Sequence, residues 1–200
     1  MKQKYLVNKN HFLSRSLIAA SFILTTAYAS AADYVIDTAG AHASINFKIP
    51  HLGISMVVGR FDEFSGGFSY EKNNPGIAKA DIVVKTASLN SNHALRDKHL
   101  RGGDFLNVDK FPEAHFVGTK FTSADGETGT LEGELTLRGV TKPITIAVTK
   151  IGEGNDPWGG YRAGFKGTTA LTLKDFGIDF DLGPASTQVQ MELYVEGVKQ

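Results

Sequence analysis

The sequence predicts an all-β protein, a closed antiparallel barrel of about eight strands carrying one short helix. Three observations lead there. Leu131, Gly133, Leu135 and Leu137 alternate with Thr130, Glu132, Glu134, Thr136 and Arg138, as in a strand with one wet face. A single parity holds from Tyr161 to Leu173, and long curved strands are what barrels use. The stretch Asn92 to Leu106, NHALRDKHLRGGDFL, breaks the alternation with two histidines, two arginines, a lysine and two aspartates.

Residues 1–31 read as a separate element. Lys2, Lys4, Lys9 and Arg15 precede the apolar run Leu17 to Leu24 and the small residues Ala29-Ser30-Ala31, the pattern of a secretory signal peptide. The apolar run is well short of the roughly 20 residues that span a bilayer. Residues 32–200 are then one domain, long enough to bury a core without staples. Removing the four basic residues of the leader from 21 leaves 17 against 21 acidic ones, a formal −4. Such a balance gives no electrostatic drive toward nucleic acid, nor strong attraction to an anionic membrane. The absence of cysteine excludes disulfides and thiol chemistry. All 22 glycines fall after the leader, which predicts many turns, bulges and bent strands.

Taken in order, Ala43, Ile45, Phe47 and Ile49 share one face of a first strand, and His51-Leu52-Gly53 ends it. Met56 to Tyr70 resumes, with an apolar parity shift between Phe61 and Phe64 that calls for a bulge or bend. Asn73-Asn74-Pro75-Gly76 is a turn before the strand Ala80 to Lys85. After the helix, about 92–101, come strands at His115 to Phe121, Thr130 to Arg138 and Pro143 to Ile151, then Tyr161 to Leu173 and Gln188 to Glu196. Closure removes the exposed edges that so many strands would present. Ile45, Phe47, Leu135, Phe165, Leu171, Met191 and Leu193 are inward positions, as are the small Gly133, Ala163, Gly167 and Thr169. The small residues either leave an elongated apolar cavity or merely permit strand coiling.

The helix has Ser91 or Asn92 as a candidate N-cap and Gly102-Gly103 as its stop. Leu95 and Leu100 are expected to press on the barrel mouth. His93 with Asp97 and Asp97 with Arg101 stand at i, i+4, and Arg96 with His99 at i, i+3. The helix either edges an entrance with Arg96, Asp97 and His99, or is a salt-bridged cap. An Asp97–His99 acid–base pair has no accompanying nucleophile motif, so no catalytic residue is assigned. The histidines have no H-x-x-x-H spacing, so no metal ligand is assigned. Asp175-Phe176-Gly177 matches a kinase triplet without a glycine-rich or catalytic loop, and is a chance match. Trp158, in Asp156-Pro157-Trp158-Gly159-Gly160, is a mouth-lining ring or a loop anchor.

The runs ADYVID, NHALRDKHLRGGDFL, LTLRGVTKP, DPWGGYRAGF, LKDFGID, DLGPAS and VEGV occur in this order across the mature chain. In this the sequence resembles the YceI-like family of exported, lipocalin-like barrels that bind polyisoprenoid lipids. The resemblance implies an extended antiparallel barrel around an apolar tunnel for a prenyl chain, with no other cofactor. Ile45, Phe47, Gly133, Leu135, Phe165, Gly167, Leu171, Met191 and Leu193 would line the tunnel. Arg96, Asp97, His99 and Trp158 would stand at the headgroup end. It further implies a binding role rather than catalysis, in the periplasm of a Gram-negative bacterium, with transient membrane contact and a homodimer as partners to expect. The alternatives are an enzyme acting on a prenyl lipid through Asp97 and His99, or a stress protein binding other amphiphiles such as fatty-acid derivatives.

Overall fold

A computed structural model describes Met1 and residues 31–200 except 73, 75 and 77. The signal-peptide assignment, and part of the turn at 73–76, lie outside the described residues. Among the described residues, eleven strand segments and one α-helix follow in order: β1 Ala32–Ile36, β2 Ser44–His51, β3 Ser55–Phe61, β4 Phe64–Tyr70, β5 Lys79–Lys85, β6 Leu89–Asn90, α1 Ala94–Arg101, β7 Glu113–Ser123, β8 Thr128–Leu137, β9 Val140–Asn155, β10 Tyr161–Thr172 and β11 Gln188–Lys199. All pairings are antiparallel, and β1 pairs with both β4 and β11, closing the sheet.

Eleven segments make eight barrel strands because three strands are broken. β11 pairs with β2 through Gln190–Tyr194 and with β1 through Gly197–Lys199, so β1 and β2 are two parts of one strand. β3 and β4 likewise pair with β2 and β1. β5 and β6 then pair with β4 and β3. The break between β3 and β4 is the bend that the parity shift at Phe61 and Phe64 requires. It is held by Asp62 N–H donating to Ser88 O at 3.1 Å and Lys85 N–H to Glu63 O at 3.0 Å.

The meander fixes which loops share an end. The β2–β3 turn, the segment 91–112 with α1, the β8–β9 turn and the segment 173–187 lie at one end, the mouth. The reversals between β4 and β5, between β7 and β8 and between β9 and β10 lie at the other. The β8–β9 turn is tight, with Arg138 at φ 51° and Gly139 at φ 74°, the two-residue geometry that follows strand twist. Gly139 also lies under Phe111, whose ring would be 2.6 Å from a methyl group there. Arg138 Nη2 donates to Gly103 O at 2.6 Å, tying this hairpin to the chain leaving α1.

Two apolar clusters form. Phe47, Leu89, Phe105, Leu106 and Ile178 pack beneath the mouth loops. Tyr34, Tyr70 and Ala163, with Phe68, Tyr161 and Phe165, fill the far end. Tyr34 stacks on Phe68 at 4.9 Å between centroids, and Phe165 meets Phe68 and Tyr70 edge-on at 5.4 and 5.2 Å, favourable geometries for aromatic pairs.

Candidate functional site: an apolar cavity with a polar lip

Between the clusters the barrel is hollow, with a cavity of about 640 Å³, inside the range of small-molecule sites. Its walls include Ile45 and Phe47 of β2, Ile82 and Val84 of β5, Phe116 of β7, Leu135 of β8, Ile144 and Ile146 of β9, Thr169 and Leu171 of β10, and Met191 and Leu193 of β11. Six expected tunnel residues, Ile45, Phe47, Leu135, Leu171, Met191 and Leu193, are therefore on its wall.

Gly133, Gly167 and Phe165 are not. A methyl group on Gly133 would come within 2.7 Å of the Phe116 ring, and one on Gly167 within 3.0 Å of Ile146 Cγ2. These glycines make no hollow. Their missing side chains leave space that Phe116 and Ile146 occupy in closing the cavity floor. Phe165 stands below that floor among the aromatic residues.

At the mouth, α1 is capped by His93, whose Nδ1 accepts from Arg96 N–H at 3.2 Å, and not by Ser91 or Asn92. Asn92, at φ 61°, lies outside the helix, and Ser91 is committed to Asp97. Both the N–H and the Oγ–H of Ser91 donate to Asp97 Oδ1, the first at 2.9 Å. Arg96 in turn donates from Nε to Ser91 Oγ and from Nη2 to Ser91 O, each at 2.7 Å. Burial opposes the charge on Asp97, but the two Ser91 hydrogen bonds, aided by Arg101 and Arg96, outweigh it and hold its pKa below the ordinary aspartate value.

Arg96 and His99 line the cavity, whereas Asp97 does not. Asp97 is a buried anchor that fixes the arginine through Ser91. Among the described residues the guanidinium Nη1 of Arg96 makes no hydrogen bond, and no carboxylate oxygen lies within 4.0 Å of the side-chain nitrogens to form a salt bridge. His99 Nε2 lies 3.3 Å from Asp104 Oδ2, and its ring meets Phe105 and Phe180 edge-on at 5.0 and 5.3 Å. The helix therefore holds no Asp97–His99 pair. Leu100 lines the cavity, but Leu95 is 76% exposed and does not press on the barrel. The helix stops at Gly102 with extended backbone, φ −74° and ψ 179°, rather than a left-handed cap.

Trp158 stands at the opposite end of the barrel, 76% exposed, with Arg162 5.5 Å from its ring centroid. It is remote from the helix-bearing mouth because β9 ends and β10 begins at the far end. Arg162 Nη1 donates to Asp37 Oδ2 at 2.6 Å and Glu196 Oε1 at 2.7 Å, and His42 Nδ1 is 3.0 Å from Asp37 Oδ2. Asp37, His42 and Glu196 converge closely enough to ligate a cation, and the Arg162 guanidinium already donates to both carboxylates there as well as to Asp156, offsetting part of their charge.

Several cavity contributors carry no sequence signal as site residues. Leu52, Asp181, Leu182, Gly183 and Ser186 come from loops. Ser186 Oγ donates to Pro50 O at 2.6 Å and binds the segment 173–187 to the β2–β3 hairpin.

Comparison with known proteins agrees with this architecture. The YceI-like domain matches residues 34–197. A UPF0312 protein of Shewanella sp. (strain MR-7) is 56% identical over 191 residues, covering 94% of this chain and 100% of its own length. The crystal structure of a Campylobacter jejuni YCEI protein is similar with a TM-score of 0.68 and 28% identity, over 76% of this chain and 90% of that one. A polyisoprenoid binding domain from Saccharophagus degradans shares the fold, with a TM-score of 0.60 and 16% identity, over 86% of this chain and 100% of that one. The chain belongs to the YceI-like family.

Proposed function

We propose that this protein binds an isoprenoid lipid, a polyprenyl or isoprenoid-quinone-like molecule, and carries or sequesters it in the periplasm. The observation that carries the reading is the apolar cavity of about 640 Å³ whose lip holds the guanidinium of Arg96. The tail would lie against the aliphatic walls and the headgroup near Arg96 and His99. Transfer from water is worth about 0.8 kcal/mol per buried methylene, but a membrane lipid's tail is already out of water. Selection among lipids then falls to the lip and to the length available above the floor at Phe116. The Saccharophagus degradans domain of the same fold, described as polyisoprenoid binding, is consistent with this choice of ligand.

Native purification followed by solvent extraction and mass spectrometry tests the reading. An isoprenoid species is expected in the wild-type protein, and its headgroup distribution is expected to change in the Arg96→Ala/His99→Ala variant. Recovery of only fatty-acyl amphiphiles, or an identical lipid profile in the variant, would overturn the ligand or the lip assignment, respectively.

A further inference from the structure

The β2–β3 hairpin places apolar side chains where folding does not need them. In the turn His51 to Ile54, closed by Ile54 N–H donating to His51 O at 2.9 Å, Leu52 has φ 55° and Gly53 φ 70°. Left-handed backbone favours glycine or asparagine, and a leucine there is uncommon. Leu52 is nevertheless 64% exposed and Ile54 84% exposed, while Met56 and Val58 continue on the same outer face of β3. Leu52 also lines the cavity, so an apolar surface runs from inside the barrel onto the tip.

The hairpin carries no acidic residue of its own, although Arg60 pairs with Asp62 at 2.6 Å and Asp181 stands at the cavity mouth. Ser44 to Phe61 contains no Asp or Glu but includes Lys48 and Arg60. Lys48 is exposed directly opposite Val58 in the register. On α1 the exposed Lys98 stands three residues beyond the exposed Leu95. A net negative mature chain is not drawn to an anionic membrane as a whole, but this end presents apolar tips beside lysines. That pairing fits acyl chains below and anionic phosphates above.

We infer that the β2–β3 hairpin is a membrane-docking element, inserting Leu52 and Ile54 into an anionic bilayer so that the cavity mouth faces the lipid. The purpose of the contact rests on the lipid-binding reading; its chemistry does not. The test is flotation of the full chain with vesicles of phosphatidylcholine and phosphatidylglycerol, beside vesicles of phosphatidylcholine alone. The wild-type protein is expected to float with the anionic vesicles and less with the neutral ones. Leu52→Ser/Ile54→Ser, at exposed positions, should reduce partitioning at least about tenfold. Ile151→Ser, an exposed apolar position away from the hairpin, should leave it unchanged. No flotation of wild type, equal flotation of the double variant, an equal loss in Ile151→Ser, or self-association that the double variant abolishes in the absence of flotation would each overturn the proposal. Extraction of the same preparations separates the two readings. Isoprenoid without hairpin-dependent flotation removes docking alone, and hairpin-dependent flotation without isoprenoid removes the ligand alone.

Discussion

The two halves of the barrel are built from the same strands, yet one is hollow and the other is packed. On β10, Thr169 and Leu171 face the cavity, while Ala163 and Phe165 lie in the aromatic cluster. The difference is one of reach. Medium-sized aliphatic side chains from opposite walls do not meet across the barrel, whereas Phe68, Tyr70 and Phe165 do. Inward glycines mark the transition between the halves, because they make room for the floor. Even the charge inside the lower half is paired. Burial opposes ionisation of Lys150, but its hydrogen bond to Glu153 at 3.1 Å, together with the attraction of Tyr70 and Glu153 and the hydrogen bond to Glu127, outweighs that and keeps its pKa above the ordinary lysine value.

Substitution is expected to separate the halves most clearly through stability. Phe165→Ala removes a ring with partners on the opposite wall, with an expected loss of about 3 kcal/mol. Leu135→Ala only widens an existing void and is expected to cost about half as much. Urea unfolding of both variants checks this, and equal losses would break the distinction. A smaller effect is expected at acid pH. The Arg162 hydrogen bond, with those from His42 and Gly40, holds Asp37 far below the usual carboxylate range. A depressed folded-state pKa gives stability that is complete above the unfolded value of about 4 and is lost as pH falls below it. Asp37→Asn should therefore flatten the decline in thermal midpoint below pH about 4, and an unchanged slope would assign the acid sensitivity to other groups. The smallest change is expected at Trp158. Trp158→Ala should leave both the thermal midpoint and the extracted lipid profile near wild type, whereas a changed profile would show that the far end takes part in binding.

Much of this architecture is legible in period-two alternation, which records the side of the sheet on which each residue falls. The β10 run matches Tyr161–Thr172 within a residue, and the helix at 92–101 is observed as Ala94–Arg101. Alternation gives the wall but not the height at which a side chain sits. Gly133 and Gly167 therefore could not be distinguished from cavity positions until Phe116 and Ile146 were seen over them. The end occupied by Trp158 was open to inference. After the helix at the mouth, the three strands β7, β8 and β9, joined by two reversals, deliver Trp158 to the far end. The orientation of α1 could not be read in the same way. It depends on Ser91 bonding both Asp97 and Arg96, a contact that helical spacing alone does not reveal.

The seam between the two ends of the chain has a consequence for folding. Tyr34 pairs with Lys199 and Ile45 with Leu193, so the last strand joins the first, and contacts this distant in sequence slow folding. The chamber does not exist until β11 is in place, because Met191 and Leu193 form one of its walls. Loading with ligand must therefore follow completion of the chain, and a product truncated before Gln188 would be open-edged as well as empty.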